Sequence, residues 1–130
     1  MNLPLVIHSR DSESDIIEEL KSSDRNAILH CFSGTVKQAE EAISLGCIIS
    51  IPASIAYSKQ KQELARKIPF DRIVLETDAP YLPPVPKTRN EPANVKLAAL
   101  KIAGLKGIDY SIVEKVTTEN ARKFFNLKYI

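Results

Sequence analysis

The sequence predicts an α/β protein built on parallel strands, and three observations carry that prediction. Short apolar runs alternate with amphipathic segments along the whole chain. The connections between them are short, and parallel neighbours cannot be joined by a tight hairpin, so each amphipathic segment serves as a right-handed crossover. Three of the apolar runs finish on a residue that can bind a metal or move a proton: "PLVIHSRD" at His8, "AILHCFSGTV" at His30 and "RIVLETDAPYL" at Asp78. Strands of such a sheet all point one way, so the residues at their C-terminal ends gather on one rim.

The elements follow in order. Residues 4–8 read as a strand and 12–22 as a helix with Ile16, Ile17 and Leu20 on one face and acids on the other. Residues 26–31 form the second strand. Thr35 and Gln38 make a capping box for a helix lined by Ala39, Ala42, Ile43 and Leu45, which stops at Gly46. The β-branched run 47–51 is the third strand, ended by Pro52, which has no N–H to give a ladder. Ser58 caps a helix running to about Lys67, closed by Pro69, and "RIVLETD", residues 72–78, is the fourth strand. The proline-rich stretch 79–92 makes a long loop, more often functional than idle in a compact domain. Helices at 93–105 and 111–125 close the chain, with Gly107 as a C-cap and Ser111 with Glu114 as a second capping box.

A chain of 130 residues reads as one domain, 1–130, able to bury about two thirds of its unfolded surface. Its 44% hydrophobic and 26% charged residues exclude a disordered or fibrous chain. The net charge of +2 does not argue for nucleic acid by itself. No apolar run approaches the roughly 20 residues that span a bilayer, and "MNLPLVIHSRD" lacks a basic leader with a small-residue cleavage site, so a cytoplasmic location without membrane contact is expected. Cys31 and Cys47 have neither disulfide-framework nor zinc-knuckle spacing and read as two reduced, buried thiols.

On the rim, imidazole nitrogen and carboxylate oxygen are standard ligands for divalent ions, and a metal site with an open position supplies hydroxide near neutral pH. His8, His30 and Asp78 are the candidate ligands. The two-residue period places Glu76 on the face of Asp78, where the lower acid supports the upper one. The same period points Cys31 away from His30 and makes it a poor extra ligand.

"VIHSRD", "LHCFSG", "LETDAPYL", "RNEP" and "ENARKFF" occur in the order and chemical context of the TatD-type metal-dependent deoxyribonucleases, and the chain resembles that family over nearly its whole length. The resemblance implies a (β/α)8 barrel, a one- or two-metal site using magnesium, manganese or zinc, and hydrolysis of phosphodiester bonds in DNA. It implies that His8 and His30 ligate one metal, and that Asp78 ligates the other and acts as the catalytic base for the attacking water. The family pattern also carries a His-x-His pair on its first strand and a bridging glutamate on its fourth, and this sequence has neither. The chain thus resembles the C-terminal half of the barrel, about four parallel strands with flanking helices. Its length is about half of the ~250 residues usual for the whole fold. Two consequences are expected: weaker metal binding with low or absent nuclease activity, and a homodimer formed through the strand edges at residues 4–8 and 72–78.

Other residues carry open alternatives. Arg10 is a candidate donor to a substrate phosphate, or pairs with Asp11 or Asp15. Arg89, Asn90 and Glu91 match "RNEP" and are candidate substrate-side or loop-ordering polar groups, with Arg89 and Glu91 the ones assigned to substrate, or part of a solvated loop anchored by Pro92 and carrying Lys87. Tyr81 either stacks on a base or packs its loop against the rim. Ser33 and Gly34 either present N–H groups to a phosphate or simply turn the chain before Thr35. Beside a DNA phosphodiesterase, two functions stand as alternatives: a metallohydrolase of another ester or an amide, and a non-catalytic remnant or assembly partner.

Overall fold

The computed structural model describes residues 3–128. Its order is β1 (Leu5–His8), α1 (Glu13–Lys21), β2 (Ala27–His30), α2 (Val36–Ser44), β3 (Ile48–Pro52), α3 (Lys59–Lys67), β4 (Ile73–Glu76), α4 (Val95–Lys106) and α5 (Tyr110–Phe125). The four strands form one parallel sheet in the order β1-β2-β3-β4, so among the described residues β1 and β4 are its open edges. This is the four-stranded half-barrel arrangement that the sequence implies. No helix among the described residues is long and apolar enough to cross a membrane.

The two-residue period of each strand divides the sheet into faces. Ala27, Leu29, Ile49, Ile51 and Ile73 pack with Ile17, Leu20, Ala39, Ala42, Leu64, Ala98 and Ile102 of the helices in the main core. Each fully buried Ile or Leu there contributes about 1.5–3 kcal/mol. The opposite face carries Ile28, Ile48 and Val74, against which Ala121 and Phe124 of α5 pack. Asn120 of "ENARKFF" donates to the carbonyls of Phe70 (3.1 Å) and Ile73 (2.8 Å), which ties α5 to the start of β4. By the same alternation His8, His30, Ser50 and Glu76 stand on this second face, above the apolar layer, with His8, His30 and Glu76 at the C-terminal ends of their strands and Ser50 at the middle of β3.

Local signals fix most helix ends. Thr35 accepts from the Gln38 backbone N–H, and the Gln38 side chain accepts from the Thr35 N–H, closing the expected box. Ser58 accepts from the Lys61 N–H, and Gly107 ends α4 at φ 63°. One cap differs from expectation: α5 begins at Tyr110, and Asp109 rather than Ser111 is its N-cap, accepting from the Ser111 N–H at 2.8 Å. Aspartate competes well with serine for a free helix N–H and lies two residues nearer the turn. A short 3-10 turn, Pro92–Asn94, delays α4 to Val95.

Two strands are shorter than their apolar patterns suggest. β2 stops at His30 because Cys31 takes φ 47°, and β4 stops at Glu76, after which Asp78 takes φ 59°. Both are left-handed conformations that remove the following residues from the two-residue alternation.

Candidate metal centre

The parallel register sets His8 of β1 directly beside His30 of β2, their ring centroids 5.6 Å apart and tilted by 45°. Glu76 of β4 reaches His30 from the other side, with Oε2 2.8 Å from Nδ1. The same Oε2 accepts a hydrogen bond from Ser50 of β3. Asp78 meets the far edge of the ring, Oδ1 lying 3.3 Å from Nε2. His30 is therefore held between two carboxylates contributed by one strand and the turn that follows it.

This arrangement corrects one expectation. Glu76 does not support Asp78 directly; it supports His30, because the left-handed turn at Asp78 takes that residue out of the strand. A carboxylate on Nδ1 fixes the tautomer that leaves the Nε2 lone pair free, the usual arrangement behind a metal-bound histidine. Ser50 completes this support and was legible only as the single polar residue in the run "IISIP".

Whether these groups suit a divalent ion follows from their spacing. Two donors on one ion at about 2.0–2.2 Å each lie roughly 3–3.5 Å apart, and the 3.3 Å between His30 Nε2 and Asp78 Oδ1 fits that span. With Nδ1 protonated, Nε2 and Oδ1 are both electron-rich, so a cation or a second ring proton between them relieves their repulsion. Among the described residues Glu76 Oε1 is buried without a hydrogen-bond partner, a further negative atom that a nearby cation would offset. Among the described residues, however, no group of three His, Cys, Asp or Glu side chains is gathered closely enough to hold an ion. The three candidates share the rim, with His30 and Asp78 as the close pair and His8 beside them.

A cleft of about 530 Å³ opens at this rim. Its wall comes from His8, Ser9, Arg10 and Asp11 after β1, Cys31 and Ser33 after β2, and Asp78, Tyr81 and Leu82 after β4. Arg10 is exposed and forms no ion pair among the described residues, leaving its guanidinium free at the cleft. Tyr81 is 72% exposed, so it lines the mouth rather than packing its loop inward. Cys31 also lines the cleft, contrary to the alternation argument, because its positive φ turns the side chain back toward it. Burial pushes the Cys31 thiol pKa up, with Lys61 pulling it down and Glu76 and Asp78 adding to the rise. Cys31 and Cys47 are both free thiols.

The "RNEP" residues divide. Arg89 and Glu91 are exposed and lie outside the cleft wall. Asn90 is 1% exposed and acts as the hub of the loop, donating from Nδ2 to the carbonyls of Thr77 (2.6 Å) and Tyr81 (2.6 Å). Its Oδ1 accepts from the Glu91 N–H and from Asn94 Nδ2. The loop that carries Asp78 is thus tied to one buried amide. The chain bends at Gly34 before the Thr35 cap, and a Cβ there would lie 2.5 Å from Cζ of the fully buried Phe32, so a larger residue would have to displace that ring.

Fold and site together define a class: a parallel β/α half-barrel that presents imidazole and carboxylate donors at its C-terminal rim. Residues 1–126 match the model of the family described as TatD related DNase, and the chain belongs to that family. It is 37% identical over 134 residues to YabD of Bacillus subtilis (strain 168), named an uncharacterized metal-dependent hydrolase, covering 98% of this chain and 52% of that protein. It is 42% identical over 126 residues to the deoxyribonuclease TATDN3 of Homo sapiens, covering 96% of this chain and 46% of that protein. The crystal structure of YjjV, a TatD homologue from Escherichia coli K12, superposes with a TM-score of 0.86 at 25% identity, covering 96% of this chain and 51% of that one. The chain spans about half the length of the curated relatives it matches.

Proposed function

We propose that this chain provides the C-terminal part of a metal-dependent hydrolase that cleaves phosphodiester bonds in DNA. The observation that carries the reading is the His30 imidazole, fixed by Glu76 on one nitrogen and facing Asp78 with the other, in a chain of the TatD related DNase family. His30 and Asp78, with His8 beside them, are the proposed ligands of divalent metal, magnesium, manganese or zinc; the 3.3 Å between His30 Nε2 and Asp78 Oδ1 suits one ion shared by that pair rather than the separate ions the resemblance implies. When bound, such an ion offsets charge on the phosphate oxygens and acidifies water.

The remaining chemistry belongs to the side chains. Glu76 and Ser50 keep His30 in one tautomer and orientation. Asp78 is the proposed catalytic residue, its free oxygen taking the proton of the attacking water. Arg10, free at the cleft, donates to a non-bridging phosphate oxygen, and Tyr81 at the mouth offers a ring for a base to stack on. Arg89 and Glu91 are proposed to touch the strand beyond the scissile phosphate. Two reduced thiols suit a cytoplasmic location, which we propose with the rest.

A homodimer is part of the same proposal. Among the described residues β1 and β4 pair on one side only, Val6 on β1 is 55% exposed, and no third ligand is close enough to complete the donor set. A second copy would cover the edges and bring further donors to the mouth. Light scattering that finds a stable monomer at micromolar concentration refutes the dimer.

The test of activity uses the purified chain with manganese, magnesium or zinc on single-stranded DNA, duplex DNA, simple esters and an amide. Metal-dependent DNA cleavage, abolished by chelator and by Asp78→Asn, is expected, at a rate below that of full-length relatives. Hydrolysis confined to the esters or the amide moves the assignment to another substrate class. No hydrolysis of any substrate by a metal-loaded chain leaves the assembly-partner reading.

A further inference from the structure

We propose that Lys61 is a positioning residue for His30, acting from α3 through the turn that follows β2. The inference rests on the reading of His30 as a metal ligand. Lys61 is 6% exposed, although lysine is almost never fully buried without partners. Its Nζ donates to the carbonyls of Cys31 (3.1 Å) and Phe32 and to Ser33 Oγ (3.0 Å). An ammonium has three donor hydrogens, and here three oxygens from three consecutive residues receive them.

The need for these bonds arises in the backbone. The β2 ladder ends at His30, and the left-handed turn at Cys31 takes the next two carbonyls out of the sheet and into the protein. Among the described residues the sheet side retains a long contact from the Phe32 N–H to the Ser50 carbonyl, at 3.4 Å. The neighbouring Gln60 donates to the Gly34 carbonyl at 2.6 Å, so α3 grips residues 31 to 34 from one side. Phe32, with no exposed surface, wedges the same turn into the core. A leucine at position 61 would bury α3 without desolvating a charge, so a buried ammonium marks a polar task. Burial also pulls the Lys61 pKa down, opposed by Cys31, Glu76 and Glu13.

The turn begins one residue after His30. Glu76 fixes the ring of His30 from the β4 side, and Lys61 fixes the chain that leaves it. Released from Lys61, the Cys31 and Phe32 carbonyls must find new partners, and the turn shifts with them, carrying His30 away from Asp78.

The experiment compares the wild type with Lys61→Met, Lys61→Gln and Leu64→Ala, the last on the same helix and 1% exposed but facing the core. Two quantities are read: the Mn²⁺ dissociation constant by calorimetry, and the His30 ring ¹⁵N resonances of the metal-free protein. Lys61→Met is expected to weaken Mn²⁺ binding by about tenfold or more, the usual effect of losing an outer partner of a metal site, and to shift the His30 resonances. Leu64→Ala is expected to lower Tm and leave both readings unchanged. If Lys61→Met does not fold, Lys61→Gln, which keeps one donor, is read in the same way. A folded Lys61 variant with wild-type affinity and unmoved His30 resonances overturns the proposal. A wild type that binds no Mn²⁺ overturns the metal reading instead, and the His30 resonances then decide the role of Lys61.

Discussion

Replacing Asn90 with alanine tests how the loop that carries Asp78 is held. The side chain is 1% exposed and bonds the carbonyls of Thr77, Tyr81 and Leu82 through Nδ2, and the Glu91 N–H and Asn94 Nδ2 through Oδ1. Three acceptors share the two hydrogens of Nδ2, so the amide makes about four full hydrogen bonds. At about 0.5–1.5 kcal/mol each, with the freed carbonyls regaining water as the loop loosens, Asn90→Ala should cost about 2–4 kcal/mol. For a chain of this size each kcal/mol moves Tm by roughly 4 °C, so a fall of about 8–16 °C is expected in thermal denaturation followed by circular dichroism. Amide exchange at residues 77–82 should accelerate in the same variant. Arg89→Ala and Glu91→Ala, at exposed positions, should stay within about 0.5 kcal/mol of wild type. A Tm shift below about 2 °C for Asn90→Ala, with unchanged exchange at 77–82, would refute the reasoning and make Asn90 one polar residue among several.

Three further outcomes follow from the same geometry. Glu76→Gln removes the carboxylate that holds His30 Nδ1, and calorimetry should find divalent-metal affinity reduced about 10- to 100-fold with the fold intact. Thr35→Ala opens the capping box of α2 and should cost about 1 kcal/mol in urea denaturation. Burial raises the Cys47 thiol pKa above its ordinary 9.0, so the unfolded chain loses that proton first; the stability this group contributes is complete below pH 9.0 and declines as pH rises further. Lys61, with its lowered pKa, acts in the opposite sense. Comparing the urea midpoint of wild type and Cys47→Ala from pH 8 to about pH 10 therefore isolates the thiol, and an identical slope in the two removes it from the account.

The sequence by itself determined the order of the elements, the parallel sheet and the rim. These rest on short-range causes: β-branched runs that favour extended backbone, the Thr35 and Ser58 caps, the left-handed Gly107, and strand ends that place His8 and His30 level with each other. Only the tertiary structure decided which groups touch. The two-residue period predicts side-chain direction as long as the chain stays extended, and at Cys31 and Asp78 a positive φ interrupts it, so Cys31 joins the cleft and Glu76 serves His30 instead of Asp78. Ser50, Lys61 and Asn90 owe their partners to strand register, helix placement and loop closure, which bring together residues 8 to 30 positions apart. A linear pattern records what each residue prefers; contacts across such separations are set by how the layers pack, and that is where the support of the rim resides.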